Sequence, residues 1–95
     1  MFKWLNKQGV ESDRGFIVQV VSRFIIEYRQ KYKKISVPIE IDNVTNTEVS
    51  IIIHKSSFTC WDDEGTNISA NEQSEIIKNF KDAMNFQGID VIIEN

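Results

Sequence analysis

Residues 60–94 read CWDDEGTNISANEQSEIIKNFKDAMNFQGIDVIIE, and this stretch decides the fold. Ser69 and Glu72 have the spacing of a capping box. In that motif the serine hydroxyl accepts from the backbone N–H three residues on, and the carboxylate reaches back to the serine N–H. From Ala70 onward the apolar residues fall at Ile76, Ile77, Phe80, Ala83 and Met84. Such spacing is one stripe of a helix with a period of about 3.6 residues. Gly88 follows, and glycine most readily takes the left-handed conformation that ends a helix. Ile89, Val91 and Ile93 then alternate with Asp90, Ile92 and Glu94, the period of a strand. The pattern predicts a helix over 69–88 that starts near Ala70 and ends near Gln87, and a short terminal strand over 89–94. An amphipathic helix needs an apolar surface to lie on, so the chain before it must supply one.

Residues 15–61 do so as strands. Phe16 to Val21 is β-branched and aromatic. Phe24, Ile26 and Tyr28 alternate with Ile25, Glu27 and Arg29, and the polar, basic run Gln30 to Lys34 makes a turn. Ile35, Val37, Ile39 and Ile41 alternate with Ser36, Pro38 and Glu40, which reads as one half-buried strand. Pro38 has no N–H to donate, so this strand belongs at an edge or turns Pro38 outward. Asp42 to Thr47 has turn chemistry. Val49, Ile51 and Ile53 share one strand face, and Phe58 to Trp61 reads as a fifth, short strand. The N-terminal segment 1–14 lies outside this pattern. Met1 to Leu5 reads as a helical turn docking its aromatics, and Asn6 to Gly15 as a loop. Strands, then a helix, then one strand is the order of an α+β domain. The expected architecture is a mostly antiparallel sheet of four to six strands with the C-terminal helix on one face, all in a single domain over 1–95.

The totals bound what the chain does. Its 95 residues, 41% hydrophobic and 26% charged, suit an ordinary folded domain rather than a disordered one. The longest apolar run, Ile51 to Ile53, is far too short for a membrane span. A single cysteine excludes an internal disulfide, and a reducing cytoplasm is the natural setting. The net charge of −3 hides a polarity: residues 1–39 carry +5 and residues 40–95 carry −8. Such asymmetry bears on partners rather than on fold.

Catalytic sets are sparse. His54 is the only histidine and lies in a strand, and Cys60 reads as a buried, inert thiol. One Cys and one His cannot build a Cys/His zinc site. No phosphate loop or glycine-rich dinucleotide turn occurs. No metal or other cofactor is expected. Asp62-Asp63-Glu64 lacks the oxygen spacing of a calcium loop. Arg29 to Lys34 with Tyr28 and Tyr32 has basic and aromatic residues of the kind that bind nucleic acid, but it is short and the whole chain is acidic, so nucleic acid is not an expected partner. What remains is recognition of another protein. The candidate surface is acidic: Asp62, Asp63 and Glu64 in the turn, Glu72 and Glu75 in the first helical turns, with Asp82 further along. Such a surface suits a basic partner, and electrostatics would speed the encounter.

Trp61-Asp62, a short acidic loop with Gly65, then Ile68-Ser69, Glu72, Ile76, Met84, Gly88 and Val91-Ile92 together resemble the C-terminal half of small bacterial immunity proteins. These are the cognate inhibitors of polymorphic toxin systems, including contact-dependent growth inhibition. The upstream runs Ile26-Glu27-Tyr28 and Ile35 to Glu40 are similar to that group as well, so the resemblance spans roughly 15–94. It implies a cytoplasmic protein that binds one toxin domain, often a nuclease, 1:1, and neutralises it without catalytic residues. The other readings of the residues are a small interaction or adaptor domain unrelated to toxins, and a hydrolase using His54 and nearby carboxylates. The capping box generates a direct test: Ser69→Ala should cost roughly 0.5–2 kcal/mol in denaturant unfolding, and an unchanged midpoint would show that no cap exists.

Overall fold

The computed structural model describes residues 2–45, 47–62 and 67–94. Five antiparallel strands form the first sheet: β1 (Phe2–Asn6), β2 (Gly9–Ser12), β3 (Phe16–Ser22), β4 (Ile25–Gln30) and β5 (Lys33–Pro38), in sequence order. A second sheet has the order β6 (Glu40–Val44), β7 (Val49–His54), β8 (Ile89–Glu94). Between β7 and β8 lie a 3-10 turn, Lys55–Phe58, and the helix α1, Ala70–Phe86. The architecture is α+β, with one C-terminal helix packed on sheet and a final strand, as the sequence pattern predicts.

The helix forms where its spacing places it. Ser69 caps it, its Oγ accepting the Glu72 N–H at 3.2 Å. Gly88 ends it with φ 81°, a left-handed conformation that costs glycine little. Ile76, Ile77, Phe80, Ala83 and Met84 are all buried. They meet Val10, Phe16, Val18, Ile26, Tyr28, Ile35 and Val37 from the first sheet and Ile51, Ile53 and Val91 from the second, in one continuous core. β8 runs parallel to β7. Parallel neighbours need a long crossover, and α1 is that crossover.

Four local expectations are corrected. The N-terminal segment is neither a helical turn nor a loop: β1 and β2 form a hairpin whose Trp4 pairs with Val10. The basic turn is shorter than expected, because β4 and β5 pair as far as Gln30 and Lys33, leaving Lys31 and Tyr32 as the loop. Ile35 to Ile41 is not one strand. Pro38 ends β5 at the edge of the first sheet, the Ile39 N–H donates to the Phe24 carbonyl at 2.8 Å, and from Glu40 the chain pairs with β7 instead. Phe58 to Trp61 is not a strand. Phe58 and Trp61 are both buried three residues apart, a turn spacing rather than an alternating one. The Gln73 side chain holds that turn by donating to the Lys55 and Phe58 carbonyls at 3.2 and 3.3 Å.

A buried polar link ties helix to sheet. The Tyr28 hydroxyl donates to Gln30 Oε1 at 2.7 Å and accepts from Asn79 Nδ2 at 3.2 Å. Asn79 breaks the apolar stripe of α1 yet is buried, and this bond is the reason it can be. Burial pushes the Tyr28 hydroxyl up to about 12, the Asn79 bond opposes the rise, and the nearby Glu75 carboxylate adds to it. The folded state therefore holds the Tyr28 proton more tightly than the unfolded chain does. The resulting stability is complete below pH 10, the ordinary tyrosine value, and is lost as pH rises toward 12. The loss should be on the order of 2–3 kcal/mol. Tyr28→Phe should abolish that share of the alkaline loss while costing about 1–3 kcal/mol at pH 7, because Asn79 loses its acceptor. Denaturant melts of both proteins between pH 7 and 11.5 check this, and parallel pH curves would refute it.

Candidate functional site

Of the five acidic residues singled out from sequence, the described ones, Asp62, Glu72 and Glu75, have different local roles. Asp62 is structural. Its backbone N–H donates to the Lys34 carbonyl at 2.9 Å, and its carboxylate accepts the Ser36 N–H at 2.8 Å. Both partners belong to β5, an edge strand, so Asp62 satisfies edge groups that a neighbouring strand would otherwise take. Asp63 and Glu64 lie outside the described residues. Glu72 and Glu75 stand in the first turns of α1, and both carboxylates add to the upward push on the Tyr28 hydroxyl. Asp82 lies 3.7 Å from Arg14 Nη2.

A second acidic surface emerges from strand pairing. In the three-stranded sheet Ile51 and Ile53 face the helix, so Ser50, Ile52 and His54 face away. Register carries Glu40 and Ile92 onto the level of Ile52, Asp90 onto that of Ser50, and Glu94 onto that of His54. Asp42 sits at a register shift in β6 and accepts from Ser50 Oγ at 3.0 Å, on the same side. The outer face therefore presents Glu40, Asp42, Asp90 and Glu94 around Ile52 and the 40% exposed Ile92. His54 Nε2 lies 3.6 Å from the Glu40 carboxylate. Alternation along β6 and β8 hints at these acids. Their meeting depends on β8 lying parallel beside β7, which no local pattern reveals.

The opposite sign gathers at the β4–β5 hairpin. Arg29, Lys31, Tyr32, Lys33 and Lys34 line an open cavity of about 290 Å³. Tyr32 is 99% exposed, whereas Tyr28, grouped with it from sequence, is buried in the core. Lys33 stands over the Trp61 ring, 5.6 Å from its centroid, and Arg29 pairs with Glu27. Lys31 takes φ 58°, unusual for a residue with a side chain.

Cys60 is exposed rather than buried, a correction: it sits in an isolated bridge with Asn67 at the surface, while its neighbour Trp61 takes the core position. Among the described residues no group of three or more His, Cys, Asp or Glu side chains is placed to hold a metal ion. No described helix is long and apolar enough to cross a membrane. No family model, no curated protein and no solved structure matches this chain.

The role of Asp62 leads to a prediction. Asp62→Ala should lower stability by about 1–2 kcal/mol through the unpaired Ser36 N–H, and amide exchange at Ser36 should speed up. Asp62→Asn, which keeps a carbonyl acceptor, should lose less. Unchanged exchange at Ser36 in the alanine variant would refute the clamp.

Proposed function

We propose that this chain is a non-catalytic protein inhibitor: an immunity protein that binds a cognate bacterial toxin domain 1:1 in the cytoplasm and neutralises it by occlusion. The observation that carries this reading is the uncovered outer face of β6, β7 and β8, where Glu40, Asp42, Asp90 and Glu94 surround Ile52 and Ile92. An apolar centre with a charged rim is the build of a protein-recognition surface. Its sign suits a nuclease toxin, whose cleft is basic because phosphate contacts dominate its hold on nucleic acid. Rigid strands hold the acids, so little order is lost on binding. Glu72 and Glu75 add further acidic groups at the start of α1, apart from this face. The resemblance of residues 15–94 to immunity proteins points the same way.

The test is co-expression and copurification with the product of the adjacent open reading frame, followed by binding kinetics. The association rate should fall as salt rises. Reversing Asp90 and Glu94 together to Lys should slow association roughly tenfold or more at low salt. Reversing Lys31, Lys33 and Lys34 to Glu should have the smaller effect. The opposite ranking, with folding verified, would move the contact to the basic hairpin and to an acidic partner. Failure to bind or to protect cells against that toxin would instead favour the adaptor reading.

A further inference from the structure

The edges of the two sheets are treated unequally. At β5 the Lys34 carbonyl and the Ser36 N–H are taken by Asp62, and Pro38 has no N–H to offer. Edge strand β6 carries Glu40 and Asp42 and a register shift, and edge strand β8 carries Asp90 and Glu94. Charge and irregularity at an edge discourage further pairing. β1 differs. It is the other edge of the five-stranded sheet, and among the described residues no group bonds to its outward backbone N–H and C=O groups. Lys3 is its single charge, and Glu11 of β2 already lies 3.4 Å from it.

Apolar surface lies along this open edge. Trp4 pairs with buried Val10 and Phe2 with buried Ser12, so both stand on the helix side of the sheet. There they meet the last turn of α1, with Phe86 5.5 Å from the Phe2 ring and 5.9 Å from the Trp4 ring. The cluster is incomplete: Trp4 remains 53% exposed and Phe86 44%, and the next strand residue, Leu5, is 46% exposed as well. Aromatic side chains carry about 150–250 Å² each, so the open halves of Trp4 and Phe86 leave on the order of 200 Å² per copy.

We propose that β1 is a self-association surface, at which two copies of this chain pair β1 with β1 antiparallel and join their sheets into one. Antiparallel neighbours are related by a two-fold axis perpendicular to the sheet, so both α1 helices fall on the same side. The Phe2, Trp4 and Phe86 clusters of the two copies then meet over the junction and cover each other. With the axis at Trp4, Lys3 faces Leu5 of the other copy, and no two lysines oppose. The aromatic patch is therefore complementary to itself, as a two-fold contact requires. The area joined from two copies is at the small end of protein interfaces, the size of a weak, reversible contact. The register shift between Trp4 and Asn6 keeps the paired stretch short, so the dimer is reversible. This surface is separate from the acidic face and does not rest on the inhibitor reading.

Sedimentation equilibrium of the whole chain over a rising concentration series should show a monomer–dimer equilibrium. Trp4→Lys should raise the dimer dissociation constant at least about tenfold, and Lys31→Glu should leave it unchanged. Leu5→Lys gives the same readout should Trp4→Lys fail to fold. In a Cys60→Ser background, Trp4→Cys should form an inter-chain disulfide under mild oxidation, and Tyr32→Cys should not. A strictly monomeric wild type, an unchanged constant in the folded lysine variants, or equal cross-linking at positions 4 and 32 would overturn the proposal.

Discussion

Both sheets close on a single apolar stripe, Ile76, Ile77, Phe80, Ala83 and Met84 of α1. Pro38 makes this necessary. Once β5 cannot continue past it, the chain starts a second sheet at Glu40, and neither sheet alone has a covered face. A chain of 95 residues has one core to spend on both. The helix reaches both because it is also the crossover between β7 and β8, so chain connection and burial are satisfied by the same element. The Tyr28–Asn79 bond then adds direction to a contact that apolar packing alone leaves free to slide.

A shared helix has a consequence at the margins. It covers the middle of the first sheet well, and Val18, Ile26, Tyr28 and Val37 are almost fully buried. It does not reach across β6, where Ile41 and Val44 stay exposed, nor over the β1 edge beside Phe86. Edge control is handled differently at each place. Asp62 acts as a one-residue substitute strand beside β5, whereas β6 and β8 carry carboxylates. The acids of the second half of the chain thus serve a backbone clamp at Asp62 and, as Glu40, Asp42, Asp90 and Glu94, two charged edges that also make up the outward face.

What was legible in the sequence was what is local. The helix, its Ser69 cap, its Gly88 stop and its buried stripe follow from spacing within a few residues, and β3 and β4 follow from their β-branched and aromatic alternation. The α+β class follows from the order of elements. The split at Pro38 was hidden because the alternation from Ile35 to Ile41 runs straight through it. β1 and β2 were hidden because Phe-Lys-Trp-Leu-Asn and Gly-Val-Glu-Ser carry too little pattern to read as strands, and only pairing with β3 makes them so. Phe58 and Trp61 looked alternating because four residues are too few to separate a strand from a turn. Nothing local marks Asn79 as buried, because its partner, Tyr28, is 51 positions away.

The acidic site shows the same limit at the level of function. Asp62, Asp63 and Glu64 draw the eye because they are adjacent, yet adjacency says nothing about availability, and Asp62 is spent on the β5 edge. Glu40, Asp42, Asp90 and Glu94 lie in two segments some 50 residues apart in the chain and share a face because β6 and β8 flank β7. A surface that a partner reads is assembled by the sheet, not by the run of sequence. The sequence supplies its signature only as alternation: Asp90, Ile92 and Glu94 on one side of a strand whose other positions, Ile89, Val91 and Ile93, are apolar. That alternation says one side is buried and the other charged. On the inhibitor reading it becomes a recognition surface only because a neighbouring strand brings a second row of like charge around the apolar centre of Ile52 and Ile92.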